Sequence, residues 1–202
     1  MPETNASRSQ LTLICIVLLV VWIWAAIAPL SREDWLLENL LVFAIAALLL
    51  ATFRWFIFSM ASYWLLAVFL AMHLYGSHYT YAETPFGFWL QEILGTSRNH
   101  YDRIVHFSFG LLLVYPLREL IERLARPAGK WLGLLSLTFV MALSSLYEQM
   151  EMLAAMVVAP DLGTAFLGTQ GDQWDAQKDS GLAMLGAVIT LLAARLVGAN
   201  RT

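Results

Sequence analysis

Six long apolar runs divide the chain: Leu11 to Leu30, Leu37 to Phe53, Phe56 to Leu74, Ile104 to Leu120, Trp131 to Val158 and Ser180 to Val197. Each approaches the roughly 20 residues that an α-helix needs to cross a hydrocarbon core, where only helices and closed barrels satisfy every backbone N–H and C=O. Composition agrees, since 59% of the 202 residues are hydrophobic and 13% charged, against roughly 25% charged in a soluble domain. Mean hydropathy is +0.65. The runs predict an all-α polytopic membrane bundle of about six transmembrane helices in a single integral membrane domain, with no internal repeat. The first run ends in Ala26-Ile27-Ala28, as a cleavable leader would. Its length, Trp22 and Trp24, and Pro29 directly beyond predict a retained helix instead. A net charge of −3 and 12 scattered Lys and Arg exclude a nucleic-acid surface. The lone Cys15 excludes a disulfide framework and a cysteine-based zinc site.

Six spans put both termini on one side, and the Lys and Arg of alternate connections decide which. Arg8, Arg54, Arg118, Arg123, Arg126, Lys130, Arg195 and Arg201 fall on one side, and Arg32, Arg98, Arg103 and Lys178 on the other. Eight against four predicts cytoplasmic termini for a multi-pass chain. Only Glu3, Glu119 and Glu122 among the acids then face inward, so the outer face is acidic. Trp35 and Trp174 at outer helix starts, and Trp55 and Trp131 at inner ones, suit two interfacial aromatic belts. Phe86 to Leu94, too short to cross, reads as a helix lying in the outer interface. Glu119 and Arg123 read as an i, i+4 pair on a helix that continues past Pro116.

This topology brings the ionisable residues of five helices to one depth near the outer face: Glu38 with Asn39, His73, then Asp102, Arg103 and His106, then Glu148 and Glu151, then Asp172, Asp175 and Asp179. Asp102 and His106 share a helix face, as do Glu148 and Glu151. A last helix running from Asp172 would line three carboxylates along one stripe, and capping of that helix by Asp172 or Asp175 explains only one of them. Buried like charges need cations, protons or water. Candidate partners are Arg98, Arg103, Lys178, the histidines or a divalent metal ion such as zinc or manganese. The metal set would draw on His106, Asp102, Glu148 and Asp172. Imidazole and crowded carboxyls serve equally as acid and base, with Asp102, His106, Glu148, Glu151, Asp175 and Asp179 as the catalytic candidates. Arg98 and Arg103 can hold a phosphate as substrate. The blander readings are an interfacial ion pair for Arg103 with Asp102, a hydrogen-bonded imidazole for His73, and solvated side chains for His78, His100 and Asp161. Two acids on an apolar helix, Glu148 and Glu151, are the hardest to read that way.

The strings HYTYAETP (His78 to Pro85), RNHYDRIVHF (Arg98 to Phe107), YEQME (Tyr147 to Glu151) and GTQGDQWDAQKD (Gly168 to Asp179) resemble the YjdF family of bacterial inner-membrane proteins, from about Trp35 to Gly186. The resemblance implies a multispan membrane protein with an outer polar cluster and assigns it no activity. A more distant pattern, with Asp102, Arg103, His106 and Phe107 followed by Glu148, Asp179 and Gly186, is similar to the VanZ-like family associated with glycopeptide tolerance. Glu151 stands where that pattern has Gln, and Ala183 where it has Asn. Three functions follow as expectations, with membrane lipids as the partners. The first is a membrane-embedded enzyme at the outer leaflet acting on a lipid or lipid-linked substrate. The others are a proton-coupled permease, and a structural protein whose polar layer locks the bundle. The midplane charges and broken, repeated helices usual in transporters are not evident here.

Overall fold

The computed structural model describes residues 5–157 and 168–199; Glu3, Val158, Asp161 and Arg201 lie outside the described residues. Among the described residues there are seven helices and no strand: α1 (Asn5–Ala26), α2 (Arg32–Thr52), α3 (Met60–His78), α4 (Pro85–Leu94), α5 (Tyr101–Ala125), α6 (Trp131–Val157) and α7 (Asp175–Ala199). All except α4 contain a segment long and apolar enough to cross a membrane.

Local chemistry sets the boundaries. At α2, Ser31 caps the helix by accepting from the Asp34 amide at 3.2 Å, with Glu33 and Asp34 in the first turn where the helix dipole favours acids. The third helix begins at Met60, not Phe56, because Ser59 takes the cap and accepts from the Ser62 amide at 3.3 Å. The short α4 opens on Pro85 and stops at Gly95, whose φ of 62° provides the left-handed C-cap. The first helix stops at Ala26, four residues short of the apolar run, where the Arg32 guanidinium takes the Ala26 carbonyl at 2.9 Å and Pro29 precludes continuation. α5 does continue through Pro116, and Glu119 pairs with Arg123 at 3.1 Å as expected. α7 begins at Asp175, after Gln170 and Gly171 at φ 48° and 85°. Asp172 is therefore off the helix, and the expected stripe of three aspartates along one helix face does not form.

Burial is inverted relative to a water-soluble protein. Leu48, Leu50, Leu192 and Leu196 are exposed, whereas Asp34, Glu38, Asn39, His73, His106, Asp175 and Asp179 are buried. Apolar surface on this scale would aggregate in water and is at rest against acyl chains.

The chain divides into two compact units, Met1–Tyr101 and Asp102–Thr202. In the first, α1 packs on α3 around Ile14, Tyr63 and Ala67. Here His78, expected to be solvated, stacks on Trp24 and donates from Nδ1 to the Ala25 carbonyl at 3.1 Å, because α3 extends one turn further than its apolar run. Trp35 also departs from expectation. It is buried against Trp22 rather than standing in an interfacial belt, while Trp55, Trp131 and Trp174 are exposed.

In the second unit, Val114, Val140, Ala183 and Ala187 form the core. α5 and α7 cross at backbone contact. A Cβ on Gly110 would overlap the Ala183 carbonyl, and one on Gly186 would overlap the Phe107 carbonyl. Thr190 ties the crossing by donating to the Leu111 carbonyl at 2.6 Å.

Candidate functional site

That crossing brings the first turns of α5 against the first turns of α7, with the last third of α6 alongside. Asp102, Asp175 and Asp179 each offer a carboxylate oxygen, and these atoms lie within 4.8 Å of one another. Asp179 is 1% exposed. Unit charges about 4 Å apart repel by roughly 1 kcal/mol per pair in water and by several times that near a protein surface. Three carboxylates at this separation therefore call for a positive partner or a proton.

His106 closes one side. Its Nε2 is 3.5 Å from Asp102 Oδ1 on its own helix and 3.2 Å from Glu148 Oε1 on α6. The imidazole thus bridges two carboxyls contributed by different helices, and Tyr147 meets its ring edge-on. Glu151, one turn beyond Glu148, hydrogen-bonds with it. Arg103 closes the other side, reaching Asp172 Oδ2 at 2.6 Å and Asp175 Oδ1 at 3.5 Å. Lys178 also reaches Asp172 Oδ2, at 2.5 Å, and the other Asp172 oxygen accepts from the Trp174 amide at 3.1 Å. The hydrogen bond from Lys178, then that from the Trp174 amide, hold the Asp172 carboxyl down at about 2.

The second unit therefore unites Asp102, Arg103, His106, Glu148, Glu151, Asp172, Asp175 and Asp179. Asp172 takes a different place from the one expected of it. Its carboxylate is turned to Arg103 and Lys178, while the three-carboxylate group is completed by Asp175 and Asp179. Arg98 belongs to the first unit, where it is buried. So do Glu38 and His73. The His73 Nε2 lies 3.0 Å from the Glu38 carbonyl oxygen and its Nδ1 2.5 Å from the Tyr81 hydroxyl, the hydrogen-bonded imidazole that was expected. His100 pairs with Thr96 at 2.9 Å.

Ser144 was missed by sequence reasoning. It is 2% exposed, and its Oγ has no hydrogen-bond partner among the described residues. The available signal was its place one turn before Glu148 on the same helical face. Lys178 was considered only as a counter-ion, because its reach back to Asp172 depends on a turn that helical spacing does not describe.

The helices and their inverted burial define an integral, polytopic α-helical membrane protein, with a carboxylate and histidine cluster inside its second unit. The chain belongs to the family described as "Predicted membrane protein (DUF2238)", whose family model matches residues 10–200. It is 38% identical over 189 residues to inner membrane protein YjdF of Escherichia coli (strain K12), a match covering 93% of this chain and 87% of that protein. The four quoted motifs thus did mark the YjdF family, while the VanZ-like similarity rests on those few motif positions alone. No solved structure matches the chain.

Proposed function

We propose that this protein is a membrane-embedded enzyme whose second unit holds a divalent cation at headgroup depth in the outer leaflet and acts there on a lipid or lipid-linked substrate. The convergence of Asp102, Asp175 and Asp179 oxygens within 4.8 Å carries this reading. Helix packing alone gives no reason to gather like charges, because apolar side chains of similar volume hold helices together at lower cost. Asp102, Asp175 and Asp179 would be the oxygen ligands, a set suited to magnesium or manganese, with zinc favoured if His106 joins it. A bound cation would supply an acidified water or hydroxyl, and His106, whose Nε2 faces both Asp102 and Glu148, would serve as the proton-accepting base with Glu148 beside it. Glu151, hydrogen-bonded to Glu148, would share that proton load, and Ser144 offers a hydroxyl one turn before Glu148. The Lys and Arg bias supports cytoplasmic termini, which put the cluster at the outer face.

The test is divalent-metal content and Mn²⁺ affinity of the detergent-purified protein. About one ion per chain is expected, with Asp179→Asn and His106→Ala weakening affinity by about 10–100-fold while circular dichroism stays helical. Metal-free protein that also fails to take up Mn²⁺ removes the cation from the reading. Alanine at His106, Glu148 and Asp179 that fully restores the lipid profile of a deletion strain removes the enzyme. A structural role draws support from the ion pairs among Arg103, Asp172 and Lys178. On that reading, charge-neutral variants lower thermal stability and leave the lipid profile unchanged.

A further inference from the structure

We infer that Arg103 and Lys178 form a seat for a phosphate group, occupied in the resting protein by the chain's own Asp172, and that the substrate is accordingly a phosphate-bearing lipid. This rests on the enzyme reading above and gives its substrate a chemical class.

Both cations converge on one oxygen. Arg103 Nη2 lies 2.6 Å and Lys178 Nζ 2.5 Å from the same Asp172 Oδ2. Two charged donors meeting at one oxygen form an arrangement that a phosphoryl oxygen fills as well as a carboxylate does. The carboxylate, however, fills it incompletely. Arg103 Nε is buried and has no hydrogen-bond partner among the described residues, so the guanidinium fork is engaged through Nη2 while its inner N–H is left over. A planar carboxylate whose second oxygen is committed to the Trp174 amide has nothing to offer that N–H. A tetrahedral phosphate carries further oxygens, and bidentate capture by Nε and Nη2 is the guanidinium's preferred mode for it.

Placement also fits. The same Nη2 lies 3.5 Å from Asp175 Oδ1, one of the three converging carboxylates. A phosphate in the seat would therefore adjoin the cation site, within reach of both. Lys178 is half exposed, so a headgroup can approach from that side. Asp172 precedes α7 and can withdraw without unwinding a helix.

The test measures binding of dioctanoyl phosphatidic acid and, separately, inorganic phosphate to the purified full-length protein by calorimetry. Asp172→Asn is expected to tighten phosphatidic acid binding about tenfold by vacating the seat, whereas Lys178→Gln weakens it about fivefold or more and Arg103→Gln abolishes it. Flat affinity across Asp172→Asn and Lys178→Gln overturns the inference. Should Asp172→Asn fail to fold, Lys178→Gln at its half-exposed position decides alone, weakened binding supporting the seat and unchanged binding sinking it. Equal ranking and equal affinity with inorganic phosphate make the ligand free phosphate and overturn the lipid class, while preference for phosphatidic acid upholds it. Mn²⁺ binding recorded on the same samples separates the two proposals. A phosphate ranking without Mn²⁺ binding leaves the seat and removes the cation, and Mn²⁺ binding with no phosphate ranking does the reverse.

Discussion

Asp172 is the residue on which local chemistry and sequence pattern diverge most. Spacing aligned it with Asp175 and Asp179, yet the left-handed Gln170 and Gly171 delay α7 and release the side chain toward Arg103 and Lys178. Helical periodicity holds only where a helix exists, so neither the displacement nor the two-cation contact was legible in the spacing. The acid and histidine pairs lying inside helices, Asp102 with His106 and Glu148 with Glu151, were legible for the same reason. A pH dependence follows from the altered place. The folded-state carboxyl is held down from the usual 3.8 to about 2, chiefly by the Lys178 hydrogen bond. A depressed acid contributes stability that is fully present above its unfolded value and is lost as pH falls through the folded one. Thermal unfolding between about pH 5 and pH 2, a range that contains both values, should show the natural protein more stable than Asp172→Asn at the upper end, with most of the difference lost at the lower. A difference that persists unchanged at pH 2 would mean that the Asp172 contacts do not depend on its charge.

At the scale of elements, the apolar runs predicted every spanning helix, because hydrocarbon thickness fixes helix length more tightly than propensity does. Their ends were less legible. Ser59 starts α3 late, and α3 then continues to His78, since caps and polar turns at the interface obey hydrogen bonding rather than hydropathy. The α5–α7 crossing could not be read at all, because nothing in the sequence says that Gly110 meets Ala183 or that Gly186 meets Phe107. Yet that crossing sets the distance between Asp102 with His106 and Asp175 with Asp179. Alanine at Gly110 or Gly186 collides with backbone oxygen, which cannot rotate away as a side chain would, so overpacking should cost at least about 1–3 kcal/mol. The helices must part, and the folded fraction should lose divalent-ion affinity as well as thermal stability. Gly181→Ala provides the contrast. Among the described residues no atom beyond its own helix backbone and chain neighbours lies within 4 Å of a Cβ there, so the substitution should be neutral or stabilise by up to about 1 kcal/mol through helix propensity. Comparable losses at all three glycines, measured by thermal unfolding and Mn²⁺ titration, would show that close crossing does not position the cluster.

The molecule as a whole is a membrane protein by the sign of its burial: leucines outside, acids, histidines and amides within. That much was legible in composition, since a chain with 13% charged residues cannot cover itself with them and has to present apolar side chains to its surroundings instead. Orientation depends on a different force, the retention of Lys and Arg in the cytoplasm during insertion, and it decides which leaflet the cluster serves. Arg126 and Lys178, both on exposed positions, follow spans of opposite direction under the cytoplasmic-termini reading. In a Cys15→Ser background, Lys178→Cys should then react with a membrane-impermeant thiol reagent added to spheroplasts, whereas Arg126→Cys should react only after the membrane is opened. The reverse pattern would turn the cluster to the cytoplasmic leaflet. The carboxylates would keep their geometry, but a lipid substrate would have to be sought on the biosynthetic side of the membrane, and the outer-leaflet enzyme would be withdrawn.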